Sequence, residues 1–437
     1  MDFKTRKKYY ILCNPYEYLE PEDERNVDLD AFGEEQGRSV RGINWTDRLM
    51  QEIMLSGKPV FKLLTCLPGS GMTTLLKKLA KRLFDRDGAD LFPVFIDAED
   101  VIDLASPVEA ADIILAVIYS VERAILAQVG GPSEKALDEG YFKRFLDWLE
   151  DTDPAMGKGE FSIPSAGRLV SEMKNRPELR QRIRNTVAPH FSTFMEDVNN
   201  ELKTLNYHIS RKFSQNGIIV IFDSLEKLKG ITSNRYRVIE SAEKIFSGNA
   251  PYVRLPVHVL YTVPPGLCTR IPDIDFLPMI RVYDKDNEPY EVGIEAVREV
   301  IRRRLPDNIL EEIFGSETEE RLDRLVLRSG GYPRDILVML QECIIRDNYP
   351  IYNRTFEQII ARTTDGYLTT IPEEAFDWLA KIAKSKTLFI KNEDHRKLVD
   401  LMLANCSVFR YLDDETWFDL HPAVYQIPGV QKAIAIG

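Results

Sequence analysis

Apolar strand-like runs alternating with amphipathic helical text predict an α/β chain: a parallel sheet covered by helices, then a helical domain, then terminal helices with a hairpin. Three observations carry that expectation. The runs PVFKLLTCL, LFPVFIDAED, GIIVIFDSLEKL and PVHVLYTVPPG each read as a buried strand bounded by turn or helix signals. Strands separated by helices need crossover connections, which make neighbouring strands parallel. After Gly293 the strand text stops, and IEAVREVIRRRL, ERLDRLVLRSG and RDILVMLQECII read as helices ended by glycine or proline.

In chain order, residues 1–39 carry Pro15, Pro21, an acidic run (Glu22, Asp23, Glu24), Gly33 and Gly37 with little periodicity, and read as an extended arm. A helix is expected from about Thr46 to Leu55, with Trp45, Leu49, Ile53 and Met54 at helical spacing. The sheet domain spans about 40–290. Within it, 130–215 is charged, holds Pro132, Pro154, Pro164, Pro177 and Pro189, and reads as a helical insertion. Residues 291–370 form the helical domain. In 371–437, EEAFDWLAKIAK and EDHRKLVDLMLANC lead into VFRYLDDETWFDLHP, where Asp413 and Asp414 supply a turn between aromatic-rich strands. Helices followed by such a hairpin give a winged-helix pattern.

Composition narrows the function. At 437 residues, 44% of them hydrophobic, the chain can build two or three cored domains. The net charge of −12 argues against a whole-protein grip on nucleic acid. MDFKTRKKYY lacks the apolar core of a signal peptide, and no apolar run approaches the ~18–20 residues of a membrane span, so a cytoplasmic protein with no membrane contact is expected. The five cysteines and five histidines are dispersed without ligand spacing, which favours reduced thiols and disfavours a zinc site.

The chemistry concentrates in two segments. Cys66-Leu-Pro-Gly-Ser-Gly-Met-Thr-Thr74 lies between a strand and a helix. There Pro68 enters the turn, and Gly69, Ser70, Gly71, Thr73 and Thr74 could wrap backbone N–H groups around phosphate, with the helix dipole behind them. Thr73 stands where a hydroxyl would hold Mg²⁺. The consensus for such a loop wants glycine in place of Cys66 and lysine in place of Met72. Met72 has the length of lysine but neither donor nor charge, a loss of about 1.5–3 kcal/mol in binding. The second segment, GIIVIFDSLEKL, ends a buried strand in Asp223, a carboxylate suited to organising Mg²⁺. Ser224 follows it, and Glu226 lies three positions beyond, either a water-polarising base or a helix-start carboxylate.

Taken in order, these segments make the chain resemble the AAA+/STAND group of P-loop ATPases, nearest in layout to origin-recognition-type and related prokaryotic ATPases, over about residues 38–437. SVRGINWTDRL, with Val40 and Arg41, is similar to the adenine-side box; TCLPGSGMTTLL resembles the Walker A loop and IIVIFDSLEKL the Walker B strand. VHVLYTVPP looks like the sensor 1 strand, with Thr262 as its polar residue, and SGGYPRDIL like the sensor 2 motif, which would set Arg334 over the phosphates. The resemblance implies ATP and Mg²⁺ as ligands, bound between sheet domain and helical lid. It implies Asp223, Glu226 and Arg334 in catalysis, Thr73 and Asp223 at the metal, and a nucleotide-controlled switch or assembly platform for a protein effector. A homo-oligomer would add an arginine finger, for which Arg270 and Arg281 are positional candidates. Related bacterial proteins of this layout serve in antiphage systems.

Met72 reads either as an engineered trap, which the intact GSG and TT favour, or as native to a degenerate, scaffold-type ATPase. Hydrolysis by this chain is therefore expected to be weak. A DNA-associated regulator is the third reading. It is disfavoured because the hairpin tip, LDDETW, is acidic where phosphate contacts need lysine or arginine.

Overall fold

The computed structural model describes residues 1–34, 37–130, 140–156, 158–163, 165–230, 233–248 and 250–436. Chain order opens with helix α1 (Phe3–Leu12) and α2 (Trp45–Leu55), then strand β1 (Phe61–Cys66), α3 (Met72–Phe84) and β2 (Leu91–Asp97). Strands β3 (Gly217–Asp223), β4 (His258–Thr262) and β5 (Ile274–Leu277) complete a five-stranded sheet in the order β2-β3-β4-β1-β5. The β2–β3, β3–β4 and β1–β4 pairs run parallel, as the alternating text predicts. The register sets Asp97 against Asp223 and Leu64 against Thr262. Every residue of β3 is buried, which explains its unbroken apolar run: a strand covered on both faces has no outward position for a polar residue. β5 was not expected from the sequence; IDFL is four residues long, too short to show periodicity.

The chain falls into two compact units: Met1–Arg48 with Cys66–Leu75 and Phe276–Gly437, and Leu49–Thr65 with Leu76–Asp275. The second unit centres on the apolar faces of β2, β3 and β4. Against them packs the helix Ala110–Gly130, whose Ile113–Ile118 stretch is fully buried. The segment read as a helical insertion forms the helices Tyr141–Thr152, Leu169–Asn175, Pro177–Val187 and Phe191–Phe213; positions 131–139, including Pro132, and Pro164 lie outside the described residues.

In the first unit, the helices Glu291–Arg302, Asp307–Phe314, Thr318–Ser329, Pro333–Ile344 and Asn353–Leu368 share a core that also takes in Tyr9, Cys13 and Val40. The arm is not simply extended. Asp2 caps α1 by accepting from the Thr5 amide at 2.8 Å, and Gln341 donates to the Tyr10 carbonyl at 2.9 Å. A helix held by a cap and by docking, with Tyr9 its buried residue, leaves no apolar stripe in the sequence. Farther on, the helices Phe376–Ser385 and Glu393–Ala404 precede the antiparallel hairpin β6 (Val408–Leu412) and β7 (Thr416–Leu420), where Tyr411 stacks on Trp417 with ring centroids 4.4 Å apart. The acidic hairpin turn is held within the unit: Asp413 pairs with Arg281 at 3.2 Å and Glu415 with Lys285. Among the described residues no helix is long and apolar enough to cross a membrane.

Candidate functional site

The glycine turn leaves β1 at Cys66 and enters α3 at Met72. Gly69 and Gly71 sit at φ +83° and +100°, where a side chain is strained, and this lets successive amides curl around one point. Ser70 N donates back to the Leu67 carbonyl at 3.1 Å, closing the turn. Leu75, Leu76, Leu79 and Leu83 then bury one face of α3 and fix its N-terminal end at the turn.

Three side chains distant in sequence hold this turn within the first unit. Tyr332 donates its hydroxyl to the Pro68 carbonyl at 2.7 Å. Cys406 lies with Sγ 3.7 Å from the same carbonyl and 3.6 Å from the Tyr332 hydroxyl. Arg41 Nη2 donates to the Ser70 carbonyl at 2.5 Å. Arg334 covers Gly69 so closely that a Cβ there would lie 2.6 Å from its Nε and would push the guanidinium aside; the φ of +83° is what calls for glycine. The Arg334 guanidinium also lies 5.3 Å from the Tyr16 ring centroid. Met72 is 4% exposed, while Thr73 and Thr74 are half-buried on the first turn of α3. Val40 belongs to the apolar core, its carbonyl accepting from Arg281 N at 2.9 Å.

The carboxylates belong to the second unit. Asp223 closes β3, fully buried, and Ser224 turns the chain at φ +67° into a short 3₁₀ turn, Leu225–Lys227. Thr262, the last residue of β4, accepts from Leu225 N at 2.9 Å and so pins that turn. Glu226 is 7% exposed, and its Oε2 has no hydrogen-bond partner among the described residues. Burial, then the charge of Asp223, pushes the Glu226 carboxyl up to about 7, against a hydrogen bond from Thr262 that favours its ionised form. A buried carboxyl held near neutrality beside a second one is a candidate for proton transfer.

Among the described residues no group of three or more His, Cys, Asp or Glu could hold a metal by itself. Mg²⁺ takes one or two carboxylates, keeps waters and draws remaining ligands from phosphate. Asp223 in the second unit and the Thr73 hydroxyl in the first are each oxygen donors of the kind it takes. The glycine turn, with two residues at positive φ and a guanidinium over it, has the chemistry for phosphate.

The arginine-finger candidates are engaged locally. Arg270 Nε is 3.5 Å from Glu243, and Arg281 pairs with Asp413 while lying 3.8 Å over the Tyr290 ring. The helical-domain arginines likewise pair with neighbours, Arg302 with Glu319 at 3.0 Å and Arg303 with Glu299 at 2.8 Å. Sequence reasoning missed Tyr332 and Cys406. Tyr332 stands two residues before Arg334, a proximity that could have drawn notice; Cys406 carries no local signal.

The parallel sheet and the glycine turn between β1 and α3 define an α/β fold of the P-loop type. No protein-family model matches the chain, and no curated protein matches it. Among solved structures it is similar over its whole length to the ORC2 protein of Aeropyrum pernix in its ADP form, at 14% identity with 98% of this chain and 96% of that chain covered and a TM-score of 0.41. CDC6P from Pyrobaculum aerophilum gives 10% identity, 98% of each chain and 0.34, and Drosophila ORC bound to DNA gives 10%, 99% of this chain, 93% of that chain and 0.37.

Proposed function

We propose that the chain binds ATP with Mg²⁺ and acts as a nucleotide-controlled switch or assembly platform for a protein effector. The observation that carries this reading is the glycine turn: two residues at positive φ, a helix N-terminus behind them, and the Arg334 guanidinium over Gly69. In this reading Pro68–Thr74 cradle the phosphates, with Val40, Arg41 and Thr262 as further nucleotide-side positions. Arg334 reads the terminal phosphate and takes up charge as it develops. Asp223 and Thr73 hold Mg²⁺, which supplies charge neutralisation at the phosphates when bound. Glu226 accepts the proton of the attacking water, a role its raised carboxyl pKa suits at neutral pH.

The organisation that follows is an arm (1–39), a nucleotide-binding core (40–290), a helical lid (291–370) and a winged-helix-like end (371–437). Met72, neutral and buried, supports weak hydrolysis by this chain. The effector is a protein, and a conflict or antiphage setting is the extension the sequence resemblance suggests. A DNA partner is less suited, because the turn of the hairpin is acidic and the two cations beside it, Arg281 and Lys285, are already paired with Asp413 and Glu415.

The test is calorimetric titration of ATP and ADP with Mg²⁺, followed by phosphate release, on the parent and on Met72→Lys. Binding by the parent and turnover by the lysine variant are expected. If neither form binds nucleotide, the turn is a structural relic and the reading fails.

A further inference from the structure

A phosphate-binding turn without lysine leaves open where its positive charge comes from. Arg41 is only 2% exposed, and it comes from the loop preceding α2. One edge of its guanidinium is spent on the turn itself, Nη2 donating to the Ser70 carbonyl at 2.5 Å. The same nitrogen lies 3.6 Å from the place a Cβ on Gly71 would occupy, so the charge sits against the residue that precedes Met72. Its Nε is buried with no hydrogen-bond partner among the described residues, and so is the Ser70 hydroxyl.

Among the described residues no acid forms an ion pair with this cation. Asp30 acts on it through space, but the Asp30 carboxylate oxygens accept from Trp45 N at 3.3 Å and from Thr46 N at 3.1 Å and the Thr46 hydroxyl. Burial accordingly holds the Arg41 guanidinium below its ordinary range. A buried cation left short of counter-charge, with a free donor, is costly until an anion joins it. A guanidinium can also do two things at once that an ammonium at position 72 could not: brace the turn through one nitrogen and offer others to phosphate.

We infer that Arg41 takes over the role of the absent lysine, supplying to the β- and γ-phosphates of a nucleoside triphosphate the positive charge that Met72 lacks. This rests on the nucleotide reading above and changes what Arg41 does within it, from the adenine side to the phosphates. Arg334, whose Nε is likewise buried without a hydrogen-bond partner among the described residues, differs in being partly exposed and in lying over the ring of Tyr16.

The experiment is a binding cycle with Mg·ATP and with adenosine, on the parent, Arg41→Met, Met72→Lys and the double variant, with Arg41→Lys as a gentler change. Arg41→Met should weaken ATP roughly tenfold or more while leaving adenosine unchanged, because a charge-assisted contact is lost only to phosphate. Adding Met72→Lys to it should restore ATP affinity, and Arg41→Lys should fall between. Undiminished ATP binding by Arg41→Met overturns the inference. So does an equal loss of ATP and adenosine that Met72→Lys does not repair, which would return Arg41 to the adenine side or to folding alone. A parent that binds no ATP overturns the nucleotide reading, and this inference with it.

Discussion

Two buried glutamates in the second unit differ only in what surrounds them. Glu122, in the helix Ala110–Gly130, and Glu226, after β3, are 5% and 7% exposed, and burial carries each carboxyl from 4.5 up to about 7. Glu122 is spent on architecture. Its Oε1 accepts from Tyr141 N at 2.7 Å and so caps the helix Tyr141–Thr152, and Gly140 leaves the space it occupies. Glu226 serves no helix; it lies beside Asp223 and Thr262 at the ends of two parallel strands. A raised carboxyl pKa therefore marks burial. Only the second charge and the strand-end position turn it into a candidate for chemistry.

That contrast can be broken most sharply by turnover. In the Met72→Lys background, Glu226→Gln should lower phosphate release about 100-fold or more, the typical weight of a general base, while Glu122→Gln should leave it within about twofold. Equal losses, or a loss only at Glu122, would erase the distinction.

The pH dependence of stability should show what the two share. Each carboxyl binds its proton more tightly folded than unfolded, so the stability it contributes is complete below about 4.5 and is lost as pH rises through about 7. At pH 8 either glutamine variant should exceed the parent by up to ~3 kcal/mol, and at pH 4 the difference should vanish. Urea unfolding at the two pH values measures this, and a parent whose stability is flat across the range would contradict it.

The smallest effect tests the cap. Gly140→Ala would set a Cβ 2.5 Å from Glu122 Oε1, displacing it from the Tyr141 amide, at a cost of about 1–2 kcal/mol. An unchanged melting temperature would mean that the helix start does not depend on Glu122.

Much of the architecture could be read from the chain alone because it is written in local patterns. β1 to β4 are apolar runs, α3 has leucines at helical spacing, and the glycines of the turn betray positive φ by their identity. The parallel sheet and the hairpin with its acidic turn follow from such signals. What was missed depends on contacts across hundreds of residues. α1 is stabilised by a cap and by docking on Pro333–Ile344, and β5 is too short for a pattern. The grip of Tyr332 and Cys406 on Pro68 joins positions more than 260 apart in sequence. Arg41 was noticed for its motif, but no sequence signal shows that its guanidinium reaches the turn.

That grip also bears on how the chain can be cut and recombined. Cys406 lies just ahead of the terminal hairpin, yet it reaches the carbonyl of Pro68, one residue before Gly69. Tyr411 of the hairpin bonds the Gly330 carbonyl at 2.8 Å, two residues before Tyr332. The C-terminal segment is thus no detachable module. A truncation made to isolate the sheet and the glycine turn, or a chimera that exchanges only the tail, would remove part of what sets the shape of the turn.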